Sequence, residues 1–346
     1  MRASSAACKM LAGEALAVQA SKAGIMGNEQ AFHIAFGVDA NYFRGMGVAI
    51  ASIVEKNPEA RFVFHVFAFQ VSDADQRRLD QLKKAGSVEI VVHIIDPSVF
   101  DEFSAFPSFS HFSSAIFTRL LIPAALQRIT KKVLYIDADV LCVDSIAELI
   151  SLDVSNMIVA VVEDSGAETV KMQCEKLDLT HCRYFNSGIL YINIENWIAN
   201  NITQLTILKV LESEKKFMFP DQDALNIILD GRATFIDSKW NFQYNVENFL
   251  SQGDIEFSYP REVKFIHFTG RLKPWHNWNL HKSTYLFRDY QKISPWAAVP
   301  LDAPKNHKEM KMFSQLLFKR KHMIKGVAWY CRYMLNRFMT VTLKSP

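Results

Sequence analysis

Two aspartates, Asp137 and Asp139, stand two residues apart directly after the apolar run 133–136. The run is short and rich in β-branched and aromatic residues, which predicts a buried strand. Open α/β sheets bind their ligands at the C-terminal ends of strands, and alternation along the chain would point both carboxylates to one side, with Ala138 between them. Because two such acceptors repel each other unless a cation lies between them, the pair predicts a divalent metal site.

A helix cap is the alternative for this pair. Residues 144–149 have the pattern of a helix, and one aspartate would then cap it while the other is merely exposed. Acidic residues are common at strand-to-helix turns, so the spacing alone favours neither interpretation.

A third metal ligand is predicted from a later segment. His267 lies in the apolar run 263–270 and is followed by Gly270 and Lys273. A lone histidine at a strand end is more often structural. The glycine turn and the lysine that follow it can surround a phosphorylated, metal-bound ligand, which favours a functional role here.

Apolar runs and polar helical segments alternate along the chain, which predicts an α/β fold with a mostly parallel sheet. Asp221 is the predicted N-cap of a helix over 224–229, with Gln222 and Asp223 in its first turn. The segment 165–181 is long for a connection and predicts a lid or an acceptor-facing loop. Strands are predicted at 32–38, 61–68, 88–95, 133–136, 157–162, 184–193 and 263–270, further helices at 45–53, 72–84 and 113–125, and a loop at 96–110.

Composition narrows the class of protein. With 346 residues, 49% hydrophobic and 22% charged, the chain is long enough for one large α/β domain or two smaller ones. Residues 305–346 hold ten Lys or Arg against one acid, Glu309, whereas the preceding part is mildly acidic. Such an asymmetry argues against a nucleic-acid partner and predicts one localised electrostatic contact.

The five cysteines form no CxxC pattern, so we expect reduced thiols of a cytosolic protein and no zinc site. Lys9 and Glu14 interrupt the apolar character of the N-terminus, and we expect residues 1–30 to be a loosely ordered extension rather than an export signal. No stretch reaches the roughly 18 to 20 uncharged apolar residues that span a bilayer.

Five motifs follow one another along the chain: Phe-Gly-Val-Asp-Ala-Asn-Tyr at 36–42, Tyr-Ile-Asp-Ala-Asp at 135–139, Phe-Asn-Ser-Gly at 185–188, Asp-Gln-Asp at 221–223, and His-Phe-Thr-Gly with Lys-Pro-Trp-His at 267–276. With these motifs, the chain over about residues 33–296 resembles the retaining glycosyltransferases of glycosyltransferase family 8, in particular the bacterial branch that adds hexoses to the lipopolysaccharide outer core. It departs from the family in two ways: Phe268 stands where many members have Tyr, and the first 30 residues match nothing in the family.

The resemblance implies a GT-A fold, a single Rossmann-like nucleotide-binding domain, over residues 31–300. It implies that Asp137, Asp139 and His267 hold manganese or magnesium on the diphosphate of a UDP-hexose donor. It also implies roles for two groups of residues, which match functional positions of the family. The residues that would contact the UDP-hexose donor are Val38, Asp39, Asn41, Tyr42, Arg119, Ala138, Gly270 and Lys273. The group around the transferred sugar and the acceptor hydroxyl comprises Asp164, Asn186, Asp221 and Gln222.

The activity that the resemblance implies is a retaining transfer of galactose or glucose from UDP-galactose or UDP-glucose to a hexose of the lipopolysaccharide core. The tail, 301–346, interleaves basic and aromatic residues in the pattern of one or two amphipathic helices. A helix docked on the core is one interpretation of the tail. We favour peripheral association with an anionic membrane surface, the cytoplasmic face of the inner membrane.

Two other functional classes compete with this interpretation. A non-catalytic, membrane-associated protein that binds nucleotide sugars or glycans would fit the loss of a metal ligand, yet all three predicted ligands are present in the sequence. A nucleotidyltransferase would need a Gly-rich phosphate loop near the N-terminus. The sequence there shows no such loop. Its glycines also do not form G-x-G-x-x-G, which disfavours a dinucleotide site.

Overall fold

The structure is a computed structural model that describes residues 31–84, 88–100, 114–212, 217–252 and 255–342. The chain forms two compact units, one of Met1–Phe242 with Glu262–His267 and one of Gln243–Arg261 with Phe268–Pro346. The sequence-based boundary at residue 300 therefore lies inside the second unit. The predicted extension, residues 1–30, and part of the predicted loop at 96–110 lie outside the described residues.

The first unit is built on a seven-stranded sheet with the order β3-β2-β1-β4-β7-β6-β8. Its strands are β1 (Phe32–Val38), β2 (Phe62–Ala68), β3 (Val88–Ile94), β4 (Lys132–Ile136), β6 (Val159–Glu163), β7 (Phe185–Asn193) and β8 (Thr234–Phe235). Strand β7 runs antiparallel to β4 and β6, and the other neighbours are parallel. The predicted α/β class with a mixed, mostly parallel sheet is confirmed.

A second, three-stranded sheet has the order β5-β10-β9. Its strands are β5 (Val140–Cys142), β9 (Phe242–Gln243) and β10 (Phe265–His267). Strands β5 and β10 are antiparallel, with His267 opposite Val140. Since Val140 directly follows Asp139, this pairing brings His267 to the aspartate pair although 128 positions separate His267 from Asp139 along the chain.

Helices connect these strands. In the first unit they are α1 (Phe43–Lys56), α2 (Asp73–Lys84), α3 (Thr118–Leu126), α4 (Ala147–Ile150), α5 (Ala167–Leu177), α6 (Ile194–Ala199), α7 (Ile202–Glu212) and α8 (Pro220–Ile228). The predicted helix at 144–149 shrinks to the four residues of α4. The predicted lid or loop at 165–181 is largely the helix α5.

The central strands are apolar on both faces because both faces are covered. All seven residues of β2 are buried, as are the last four of β4. A strand buried on both sides shows a continuous apolar run rather than alternation, which is why these segments stand out in the sequence. This rigid sheet is the support for the polar residues at its edge.

Three histidines form a row across β1, β2 and β3. The Nδ1 of His33 lies 2.9 Å from Nε2 of His65, and the Nδ1 of His65 lies 3.0 Å from Nε2 of His93. Burial lowers the pKa of all three: that of His93 falls to about 4, and that of His65, which also faces the other two, lies well below its usual range. The folded protein therefore holds this row neutral.

The histidine row makes stability depend on pH. Histidine in the unfolded chain has a pKa of about 6.5. Below this pH, His65 and His93 bind protons in the unfolded chain but stay neutral in the folded protein, so acid favours unfolding. This contribution to stability is therefore complete above about pH 6.5 and falls by about 1 kcal/mol for each buried histidine between pH 7.5 and 5.5. Urea unfolding of the wild type and of His65→Gln at both pH values measures this loss, which should be smaller in the variant. An equal loss in both proteins would contradict the explanation.

The second unit is mainly helical, with α9 (Val246–Ser251), α10 (Ser283–Ile293), α11 (His307–Lys319) and α12 (Met323–Thr342). Helices α11 and α12 pack together, with the rings of Phe313 and Trp329 5.0 Å apart and the Ser314 hydroxyl donating to the Gly326 carbonyl at 2.9 Å. The tail, predicted to form one or two helices, is helical and contains the pair α11 and α12. Within the described residues, no helix combines the length and apolar character needed to cross a bilayer.

Candidate active site

The residues that follow β1 and are predicted to bind the sugar-nucleotide donor lie at the carboxyl edge of the large sheet, the edge where its parallel strands end. Strands β1 and β4 lie side by side and parallel, with Ala35 opposite Tyr135, so that both end at the same edge. After β1 the chain turns sharply: the backbone N–H of Asn41 donates to the Asp39 carboxylate at 2.8 Å. The predicted donor residues here, placed before α1 begins, are Val38, Asp39, Asn41 and Tyr42.

Asp137, Asp139 and His267 converge, each offering one ligand atom within 4.8 Å of the others. The Nε2 of His267 lies 3.3 Å from Oδ1 of Asp139 and 3.9 Å from Oδ2 of Asp137. The alternative, in which one aspartate caps the helix that follows, is wrong, since α4 begins after Ile146 without a side-chain cap. Two carboxylates and an imidazole make a donor set that fits a divalent ion.

Asn241 fixes the orientation of the histidine ring. Its side-chain oxygen lies 3.0 Å from Nδ1 of His267, and its amide nitrogen donates to Oδ1 of Asn186 at 3.0 Å. Because an amide oxygen only accepts, the proton of the neutral ring lies on Nδ1 and the lone pair of Nε2 faces the two aspartates. That tautomer is the one that binds a metal ion through Nε2.

Gly188 leaves room for this ring. A Cβ atom added at residue 188 would lie 2.2 Å from Cε1 of His267 and 2.9 Å from Oδ2 of Asp137. The backbone N–H of Asp137 also donates to the Gly188 carbonyl at 2.8 Å. A side chain at residue 188 would therefore displace two of the three predicted ligands.

Arg119 is buried beneath the aspartates. Its Nη2 lies 3.0 Å from Asp137 and its Nε 3.2 Å from Asp221, while Nη1 donates to the carbonyl and hydroxyl of Ser187, both at 2.6 Å. Burial alone would lower the pKa of Arg119, but the carboxylates, led by that of Asp137, raise it above its usual value. The guanidinium is a permanent cation that partly balances the acidic cluster.

Gln222 is held at both ends of its amide. Its oxygen accepts from the Ser187 backbone N–H at 2.9 Å, and its nitrogen donates to the Tyr184 hydroxyl at 3.0 Å. Asn186 donates to the same oxygen at 3.4 Å. Burial raises the pKa of Asp164, which also accepts from the Gly166 backbone N–H at 3.1 Å and bonds to Asn186 and Gln222. Three of the four residues predicted to surround the sugar thus form one network.

The prediction that Asp221 is an N-cap is wrong. Helix α8 starts at Pro220, so its N-cap is Phe219, two residues before Asp221, and Phe219 has no side-chain cap bond. Proline favours the first helical position because its φ is already helical and its missing N–H is not needed there. Asp221 instead turns inward to Arg119, and Asp223 accepts from the backbone N–H of Met218 at 2.7 Å.

Gly270 and Lys273 belong to the second unit. Gly270 has a φ of 84°, a left-handed conformation that favours glycine. The buried ammonium group of Lys273 donates to the Phe268 carbonyl at 2.9 Å. Both residues therefore lie in a tightly ordered turn.

Several residues of the site escape sequence-based prediction. Asn241, Ser187, Tyr184 and Tyr135 carry no distinctive pattern, although Ser187 lies within one of the recognised motifs and Tyr135 begins another. The Tyr135 hydroxyl donates to Asp137. The only signal for Asn241 is its position in an asparagine-rich, aromatic segment. Their roles depend on contacts between distant segments.

Comparison with known families settles the affiliation of the chain. Residues 33–279 match the family model for glycosyl transferase family 8, and residues 282–337 match the model for its C-terminal region. The chain belongs to glycosyl transferase family 8. It is thus a glycosyltransferase, and the resemblance carried by the five motifs is confirmed.

Curated members of glycosyl transferase family 8 align over most of their length. The chain is 34% identical over 313 residues to a lipopolysaccharide 1,3-galactosyltransferase of Salmonella typhimurium, covering 89% of this chain and 92% of the relative. It is 32% identical over 302 residues to a lipopolysaccharide 1,2-glucosyltransferase of Escherichia coli, covering 84% and 87%.

Two solved glycosyltransferase structures share the fold of this chain. The bifunctional glycosyltransferase WbbM superposes with a TM-score of 0.63 at 23% identity, over 78% of this chain and 51% of WbbM. The galactosyltransferase LgtC, solved with donor and acceptor sugar analogues, superposes with a TM-score of 0.62 at 24% identity, over 76% and 96%. The predicted GT-A fold is confirmed.

The orientation of His267 is testable through Asn241. We expect Asn241→Leu to weaken Mn²⁺ binding by about 10–100-fold, the usual cost of losing a partner that orients a metal ligand. Asn241→Asp keeps an acceptor for Nδ1–H and should retain more affinity than the leucine variant. Calorimetric titration of Mn²⁺ in the presence of UDP measures both, with thermal unfolding as the control for folding. Equal affinity of the wild type and Asn241→Leu would contradict the assignment.

Proposed function

We propose that the protein is a retaining, metal-dependent glycosyltransferase that moves galactose or glucose from a UDP-hexose onto a hexose of the lipopolysaccharide outer core with an α linkage. The observation that carries the proposal is the convergence of Asp137, Asp139 and His267 at the edge of the seven-stranded sheet. The acceptor class is supported by relatives whose names specify lipopolysaccharide and hexose transfer.

Asp137, Asp139 and His267 would hold the metal ion, and this mixed set of oxygen and nitrogen ligands suits manganese somewhat better than magnesium. When bound, the ion supplies positive charge that stabilises the leaving diphosphate. Arg119 cannot take this role alone, because its guanidinium already contacts Asp137, Asp221 and Ser187.

The donor would lie along the carboxyl edge. The residues after β1, Val38, Asp39, Asn41 and Tyr42, would accommodate the uridine, and Ala138 leaves space for the ribose and diphosphate between the two aspartates. Gly270 and Lys273 would contact the diphosphate, with a glycine backbone and an ammonium group suited to phosphate oxygens. Arg119 would act on the donor side by holding Asp137 in place.

Asp164, Asn186, Asp221 and Gln222 would surround the transferred hexose and the acceptor hydroxyl. An amide is a poor nucleophile, so a covalent intermediate on Gln222 is disfavoured. The anomeric configuration is then retained because the acceptor hydroxyl attacks the anomeric carbon on the same face from which UDP departs. The departing phosphate oxygen takes the proton of that hydroxyl. Gln222, fixed by Ser187 and Tyr184, would orient the sugar during this exchange.

Loss of a predicted metal ligand tests the proposal. Removing a partner of a metal ligand already costs about 10–100-fold, so Asp139→Ala should lower transfer by more than about 100-fold while the protein stays folded. The assay measures UDP release and product mass with UDP-galactose or UDP-glucose, Mn²⁺ or Mg²⁺, and deacylated core oligosaccharides. Asp73→Asn, at an exposed carboxylate in α2, is the control. Undiminished transfer by Asp139→Ala, or full activity in a chelator, would refute the proposal.

The tail would hold the enzyme at the cytoplasmic face of the inner membrane. Helix α12 exposes a set of large apolar side chains, among them Ile324 at 88%, Phe338 at 70% and Leu335 at 65%. Basic residues accompany them in α11 and α12. Apolar side chains beside cations suit an anionic surface, where each cation contributes about 1 kcal/mol. The alternative, that the tail is a helix docked on the protein, fits α11, whose Leu316 and Leu317 are buried.

Membrane association is testable with two isoleucines. Full burial of one such side chain stabilises binding by about 1.5–3 kcal/mol, so Ile324→Ser should lower vesicle affinity by about tenfold or more. Ile293→Ser, at a position that is 62% exposed on α10, is the matched control and should bind as the wild type does. Sedimentation with vesicles containing phosphatidylglycerol measures the affinity, and neutral vesicles should bind weakly. Equal binding of the two variants would exclude α12 as the membrane contact.

A further inference from the structure

The second unit contains a large cavity beside α11 and α12, with a volume of about 1120 Å³. Small-molecule sites commonly measure about 300–1,000 Å³, so this cavity has room for a saccharide rather than a single ion. Its apolar lining includes Trp278 and Phe318 and its amide lining includes Asn248 and Gln315. Rings and amides together are the groups that contact sugars.

Cations dominate the charged lining of this cavity. Five basic side chains line it against two acids: Arg271, Lys308, Lys311, Lys319 and Arg337 against Glu247 and Glu309. The cavity therefore carries a net charge of about +3, which favours an anionic ligand.

Both acids are already engaged by local backbone groups. Glu247 accepts from the N–H groups of Arg271 at 2.6 Å and Leu272 at 3.0 Å. Glu309 accepts from the Lys305 N–H at 2.7 Å and from the Asn306 side chain at 2.6 Å, in the arrangement that caps the start of α11. Glu247 also forms an ion pair with Arg271, whose Nη2 lies 3.2 Å from its Oε2. The two acids are thus engaged by their immediate neighbours.

Tyr333 holds two of these cations at one place. Its hydroxyl accepts from Nη1 of Arg337 at 2.9 Å, and its ring centre lies 5.8 Å from Nζ of Lys311. The ring of His307 lies 6.4 Å from the same tyrosine. Among the described residues, no carboxylate forms an ion pair with Lys311 or Arg337. Lys311, Arg337 and His307 thus offer donors to one anionic group, with a buried aromatic ring as their support.

We propose that this cavity binds a phosphate-bearing part of the saccharide acceptor, with Lys311 and Arg337 as the contacts to phosphate. The inference rests on the proposed function, since it assumes a saccharide acceptor. A concave site with an amide and aromatic lining fits a phosphorylated sugar better than a flat bilayer surface does. The most exposed apolar residues of α12, Ile324 and Phe338, are not part of its lining.

The test compares two forms of one deacylated, water-soluble acceptor oligosaccharide, with its phosphates and after their enzymatic removal. Lys311→Gln/Arg337→Gln should raise KM for the phosphorylated form by about tenfold and leave kcat and the KM for UDP-hexose unchanged. For the dephosphorylated form, the variant and the wild type should agree. Arg261→Gln/Lys292→Gln removes the same charge from exposed positions of the second unit outside the cavity and should behave as the wild type.

Calorimetric binding of the phosphorylated oligosaccharide keeps the inference separate from the proposed function, because it needs no turnover. If neither form accepts sugar, the proposed function fails, and the affinity difference between wild type and cavity variant still decides this inference. Equal affinity of the two proteins, or an equal loss for both acceptor forms or in both double variants, would overturn it. So would a loss of binding to phosphatidylglycerol vesicles without a loss for the soluble phosphorylated acceptor, which would assign the cavity to a lipid headgroup.

Discussion

The site depends on the burial of one arginine among carboxylates. The guanidinium of Arg119 contacts Asp137 at the end of β4, Asp221 in α8 and Ser187 in β7. A buried charge that loses its partner strongly destabilises the fold. The contacts of Arg119 therefore fix the positions of these three elements relative to one another. The positive charge of the arginine offsets part of the repulsion between the carboxylates of Asp137 and Asp139.

The antiparallel direction of β7 brings the rest of the site to this arginine. In a fully parallel sheet, the start of a strand lies at the edge opposite the C-terminal ends of its neighbours. Because β7 runs against β4 and β6, its first residues lie beside the ends of both: Ile136 pairs with Ile189, and Glu163 with Phe185. Asn186 and the glycine that admits the His267 ring thereby reach the carboxyl edge, where Asp164 also follows β6.

Much of this arrangement is predictable from the sequence because buried strands and motif residues have local signatures. The run before Asp137 and the run that contains His267 are apolar enough to predict strands, and the predicted ligands do converge. The direction of β7 has no such signature, since the same apolar run is compatible with a parallel and with an antiparallel strand. Asn241 acts only through residues distant in sequence, so its type and spacing do not distinguish it. Asp221 was predicted as the N-cap but is the second residue of the helix, because the helix starts at Pro220.

The proposed function requires that Asp137, Asp139 and His267 together bind one divalent ion. Anomalous diffraction from crystals grown with Mn²⁺ and UDP tests it most directly, since the peak locates the ion without reference to activity. We expect a single strong peak within bonding distance of a carboxylate oxygen of each aspartate and of Nε2 of His267. A peak that lacks contact with His267, or one bound elsewhere while UDP occupies the carboxyl edge, would contradict it.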